Sequence, residues 1–250
     1  AYGFSWIVTD IDPTYTLGDM ARRRQEIIRR LKEEGVFDLQ RELHLPLFCQ
    51  RIAVISAAGA AGYGDFCRQL ADNAYGLAFQ TTLFPAVMQG EQVEQSIIAA
   101  LNQVYEAHEA YGAHETYGAN GANETYGAKP FDCVVIIRGG GSTTDLNSFD
   151  NYDLAARIAR FSIPVIVGIG HERDVTVLDY VAAMRVKTPT AAAEWLIGRG
   201  TDALTHLTEL RNAVVTTARD MVARSHEQLA YYPSIIPAAA QRIIDTSRLR

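Results

Sequence analysis

Hydrophobic and polar positions alternate with different periods along the chain. Residues 17–34 place Met20, Ile27, Ile28 and Leu31 on one face of a helix otherwise rich in arginine, and Gly35 follows as its C-terminal cap. From residue 51 the pattern changes to short apolar runs, at 52–56, 77–85, 133–137 and 164–169, separated by helical stretches at 63–74, 93–105 and 152–160. The runs are apolar on both faces, as strands covered by helices on either side must be. They predict an α/β fold built on an open parallel sheet flanked by helices. A 2-1-3-4 strand order would gather the ends of the first, third and fourth strands around a switch point, where open α/β sheets bind ligands. Beyond Thr188-Pro189-Thr190, a Thr cap with Pro in the first turn, the spacing is helical almost to the end. Leu204, Leu207, Leu210, Val214, Ala218, Met221 and Val222 keep a narrow stripe there, predicting a long-helix or coiled-coil extension that Pro233 and Pro237 interrupt.

Composition narrows the class. With 250 residues, 48% hydrophobic and 21% charged, the chain has material for one sizeable core. No apolar run approaches the roughly 18 residues that span a bilayer, and the N-terminus lacks a secretory pattern, so the chain reads as cytoplasmic with no membrane partner. Cys49, Cys67 and Cys133 are far apart and without metal-ligand spacing, which predicts buried thiols. A net charge of −6 argues against coating nucleic acid through bulk electrostatics but leaves room for a local basic site. Arg22, Arg23 and Arg24 fit a solvated helix face or a phosphate-contacting patch. The unit Ala-[His/Asn]-Glu-[Ala/Thr]-Tyr-Gly-Ala starts at Ala107, Ala113 and Ala122, a local duplication within a repeat-rich insertion at 105–129. Its histidines and glutamates, His108 and His114 among them, read as a hydrophilic loop sooner than as metal ligands.

Three stretches carry chemistry. In Arg138-Gly139-Gly140-Gly141-Ser142 a buried strand ends in a guanidinium and unobstructed backbone amides, a phosphate cradle unless it is a plain flexible turn. Gly170-His171-Glu172-Arg173-Asp174 puts an ionisable cluster at a strand's carboxyl end, with His171 and Asp174 on one face if a helix begins there. Residues 56–65 are small up to Asp65, which is expected in the first turn of the next helix, as a catalytic carboxylate or as a partner of the helix dipole. The glycines there run G-x-x-G-x-G, so the dinucleotide-binding fingerprint is missing.

These stretches, together with residues 188–194, which read T-P-T-A-A-A-E, resemble the motifs of the exonuclease VII large subunit, in the same order. The resemblance implies hydrolysis of single-stranded DNA to short oligonucleotides from both ends. It places the essential residues on Asp65, Arg138, His171 and Asp174, with Gly139, Gly140, Gly141 and Ser142 binding phosphate. It implies no required cofactor, Mg²⁺ being the candidate if one takes part, on Asp65 and Asp174. The implied partners are single-stranded DNA, the small subunit through the C-terminal helices, and a further copy of the chain. Ala57 and Gly59 depart from the family where hydroxyl residues are common, and Ile137 stands where glycine usually precedes the arginine. The expected organisation is a remnant strand of an N-terminal OB-type domain at 1–11, a helical linker at 12–50, the catalytic α/β domain at 51–195 and a helical region at 196–250. The chain thus reads as an incomplete large subunit. The other reading left open is a non-catalytic phosphate- or nucleotide-binding module.

Overall fold

The computed structural model describes residues 13–114, 131–139, 143–170 and 175–248. The elements run α1 (Pro13–Glu33), α2 (Leu39–Glu42), β1 (Arg51–Ser56), α3 (Ala61–Ala71), β2 (Gln80–Pro85), α4 (Val93–His114) and β3 (Cys133–Ile137). A 3-10 turn (Thr143–Phe149) leads to α5 (Tyr152–Ala159), β4 (Val165–Gly168), α6 (Val177–Val181), β5 (Met184–Arg185) and α7 (Pro189–Arg248). The five strands are all parallel and lie in the order β2-β1-β3-β4-β5. The sequence left strand order open; the first four strands take the 2-1-3-4 arrangement that makes a switch point, and β5 extends the sheet beyond β4.

Strand alternation sorts the core into two layers. On one face Ala53, Ile55, Val134, Ile136, Val165 and Val167 pack under α1, α4, α5 and α6. On the other, Ile52, Val54, Cys133, Val135, Ile137 and Ile166 meet α3 and the opening turns of α7. Residues 13–50 supply more than helix: Ile27, Ile28, Leu31, Val36 and Phe37 are part of the first layer. Gly35 caps α1 as expected, with φ +69° and the Val36 amide donating back to the Leu31 carbonyl. Gln40, fully buried, donates from Nε2 to the Phe161 carbonyl at 2.7 Å and accepts from the Val165 amide at 2.7 Å.

Several elements depart from the pattern reading. The stretch read as strand from 77 begins at Gln80, and α3 ends at Ala71, because the Asn73 amide holds both the N–H and the carbonyl of Leu77 in a loop. Helix α4 runs on through the first repeat copy, and the later copies lie outside the described residues. Of the three arginines, Arg22 and Arg23 are exposed, whereas the partly exposed Arg24 grips Asp150 Oδ2 with its guanidinium at 2.7 and 3.0 Å. Of the three thiols, Cys49 and Cys133 are buried and Cys67 is half-buried. Contact with Cys49, then burial, pushes the Cys133 thiol up.

The described residues up to Gly200 form one compact unit and those from Thr201 another. In the second, α7 continues through Pro233 and Pro237. The expected interruption is absent because each proline frees one preceding carbonyl, and on an exposed helix water satisfies it. Leu204, Leu207, Leu210, Val214, Met221 and Val222 are all exposed there.

Candidate functional site

The carboxyl ends of β1, β3, β4 and β5 open onto one rim. β1 passes through residues 57–60 into α3, whose N-cap, Ala60, offers no side-chain acceptor, while its carbonyl takes the Tyr63 and Gly64 amides at 3.1 and 3.2 Å. β3 exits into Arg138 and Gly139, and the Arg138 amide donates to the Gly168 carbonyl at 3.5 Å, tying this exit to that of β4. β5 leads to Thr188, which caps α7 by accepting the Ala191 amide on its hydroxyl at 3.0 Å. That is the cap expected from the sequence.

Two glycines bring these exits together. A Cβ on Gly62, in the first turn of α3, would lie 2.7 Å from the Gly139 Cα and 2.9 Å from Pro189 Cγ; one on Gly139 would lie 2.7 Å from the Gly62 nitrogen. Backbone therefore meets backbone where α3, the Arg138 exit and the start of α7 converge, and only hydrogen fits at either position. The sequence reading missed Gly62. Its signal, one of several small residues just ahead of the helix expected from 63, is ambiguous without knowing which backbone approaches it.

The candidate side chains are placed as follows. Arg138 is buried, 6% exposed, beside Gly139. Asp65 lies in the second turn of α3, one turn further in than expected, because the helix opens at Ala61 and its first turn has no acidic residue. Its carboxylate is half exposed and faces Arg68 across 3.8 Å. That position weakens the dipole explanation for Asp65, since dipole effects fade beyond the first turn. Gln69 of α3 donates to Glu194 of α7 at 3.1 Å, so Glu194 helps hold the two helices together. His171, Asp174, Gly140, Gly141 and Ser142 lie outside the described residues.

The segment after Asp174 is firmly held. Helix α6 begins only at Val177, behind Thr176 in extended conformation. Asp150 accepts the Val177 amide on Oδ1 at 2.6 Å while Oδ2 takes Arg24, joining α1 to the start of α6. Asp179 accepts from the Thr176 amide at 2.7 Å and from its hydroxyl at 3.0 Å, with Arg185 at 3.6 Å. Burial raises the Asp179 pKa, the Thr176 hydrogen bonds and Arg185 pulling the other way. No sequence signal marks Asp150, whose partners are distant in the chain.

A cleft of about 680 Å³ adjoins Gly139, walled by Ala57, Ala58 and Ala60 and by residues 85–89 after β2. Among the described residues no group of three or more His, Cys, Asp or Glu side chains could hold a metal ion. Nor is any described helix long and apolar enough to cross a membrane.

Comparison with known proteins is consistent across the chain. The family model described as exonuclease VII, large subunit, matches residues 36–250. A protein of Deinococcus radiodurans described as exodeoxyribonuclease 7 large subunit is 34% identical over 248 residues, 98% of this chain and 55% of that protein. Proteins of the same description from a Cyanothece species and from Delftia acidovorans are 34% and 39% identical over 86% and 66% of this chain, covering 45% and 35% of their own lengths. The chain spans about half the length of the curated relatives it matches most fully. The match takes in the rim where α3, Arg138 and α7 converge, and on it the chain belongs to the exonuclease VII large subunit family.

Proposed function

We propose that this chain carries the hydrolytic site of a cytoplasmic nuclease that cuts single-stranded DNA to short oligonucleotides from both ends. The observation that carries the reading is the contact of Gly62 with Gly139. It brings the first turn of α3 beside Gly139, the residue that follows the buried Arg138, a setting suited to an anion whose charge grows during reaction.

In this reading Arg138 and the amides of Gly139, Gly140 and Gly141, with Ser142, hold the scissile phosphate. Water attacks phosphorus, and the P–O bond to the departing oligonucleotide breaks. His171 takes the water's proton or returns one to the leaving oxygen. Asp174 orients His171, and Asp65 positions the water. Were a divalent cation to take part, Asp65, whose carboxylate is half exposed, and Asp174 would be the residues to hold it. Mg²⁺ there would add positive charge at a phosphate oxygen. The exposed stripe on α7 suits a helical partner, which the family resemblance makes the small subunit or a second copy of the chain.

The test is degradation of an end-labelled single strand, with a matched duplex as control, by the chain with and without a small subunit, in EDTA or Mg²⁺. Single-strand cleavage abolished by His171→Ala with affinity retained is the expected result. Binding without cleavage under every condition, unaltered by His171→Ala, would make the chain a phosphate-binding module instead.

A further inference from the structure

The cleft beside Gly139 has a chemistry unlike the phosphate cradle it adjoins. Its described lining is mostly apolar, from Ala57, Ala58 and Ala60 on one side and Pro85 to Met88 on the other, with Gln89 and Ser96 the polar side chains and none charged among the described residues. The Ser96 hydroxyl is occupied by the Val87 amide at 2.8 Å. The far wall is a built loop: the Ala86 amide extends the ladder to the Ser56 carbonyl at 2.9 Å, and Gly90, with φ +81°, turns the chain back toward α4. Met88 is nearly buried while Val87 stays exposed at the mouth.

Resting on the nuclease reading above, we propose that this cleft is a nucleobase subsite, receiving the base of a nucleotide next to the scissile phosphate. Gly139 is shared by cradle and cleft, so a phosphate on the first leaves its own nucleoside at the opening of the second. Among the described lining residues no cation would meet a phosphate. A base suits it: a flat, uncharged group that gains from contact with methyl and thioether surfaces and from leaving water. At about 680 Å³ the space is in the range of small-molecule pockets and exceeds what one base needs. With few polar groups to read a Watson–Crick edge, the subsite requires a base without choosing which. That would let cleavage proceed along any sequence while disfavouring bare backbone.

The test uses the chain with its small subunit and single strands of equal length and phosphate count: all-thymidine, all-deoxyadenosine, and one with a run of tetrahydrofuran abasic residues. The two base-bearing strands should agree within a few-fold in kcat/KM, and the abasic run should fall about tenfold to a hundredfold, the scale of losing one stacked base. Ala58→Leu, which fills the cleft, and Val87→Ala, which removes a wall, both alter exposed positions and should shrink the ratio of thymidine to abasic rates toward one. Equal rates on abasic and thymidine strands, or a ratio unchanged in both variants, would overturn the proposal. Anisotropy binding of the same strands gives the comparison even where nothing is cleaved, so a failed nuclease reading and a failed subsite are told apart.

Discussion

Substituting Gly62 by Ala isolates the contact on which the site depends. In an open helix position the change favours the helix by about 0.5–1 kcal/mol, since glycine loses more backbone freedom on folding. Gly64, two residues on in the same helix, is such a position, with nothing within 4 Å of its would-be Cβ. At Gly62 the new methyl meets the Gly139 Cα at 2.7 Å and Pro189 Cγ at 2.9 Å. The first is backbone and cannot rotate away, so a structural shift costing about 1–3 kcal/mol is expected. Gly64→Ala should therefore raise Tm by about 1–4 °C, while Gly62→Ala should leave it unchanged or lower it by up to about 10 °C, given about 2–4 °C per kcal/mol in a unit of this size. Activity should separate the pair further, because displacing a phosphate cradle by an ångström can cost on the order of a hundredfold. Calorimetry and single-strand degradation on both variants decide the matter. If Gly62→Ala gains stability as Gly64→Ala does and keeps full activity, the two loops are not held by this contact.

Two further perturbations bear on the frame behind the rim. Asp150→Ala leaves Arg24 and the Val177 amide without their acceptor at a site 7% exposed on the Asp side and 26% on the Arg side, and should cost about 2–4 kcal/mol in denaturant unfolding. Asp150→Asn, still able to accept from Val177, should cost less; equal losses would place the whole cost on the Arg24 pairing and none on the Val177 hydrogen bond. Burial raises the Asp179 pKa above 3.8, so its contribution to stability is full at low pH and is lost as pH rises through the folded-state value. Relative to the wild type, Asp179→Asn should thus be most favourable near neutral pH, the gain closing as pH falls below the ordinary carboxylate range. Unfolding free energies that diverge in the opposite direction would refute the burial argument.

The sheet was legible because β1, β3 and β4 are fully covered and their apolar runs leave no other assignment. β5 was not: two residues are too few for a period, and its identity comes from pairing with Ile166 and Val167. The ends of α3 and β2 were misplaced by one side chain, Asn73, whose hydrogen bonds to Leu77 stop both elements. In the site, the Arg138 and Asp65 regions were visible as residue types at the ends of apolar runs. The contact between Gly62 and Gly139 was not visible, because a close approach belongs to two segments far apart in the chain. Arg24 shows the same limit, since a cluster of arginines cannot announce that one of them has a buried carboxylate waiting on another element.

The buried amide of Gln40 decides where this protein can be cut. It closes the backbone at the edge where α5 returns to β4, and the helix preceding it lays Ile27, Ile28 and Leu31 over the sheet. A fragment trimmed to start at β1 would keep every residue proposed for chemistry yet expose one apolar layer to water and leave the Phe161 carbonyl and the Val165 amide without their partner. The smallest piece able to fold by itself therefore includes α1, and trimming that helix away should open the apolar layer it covers to proteolysis.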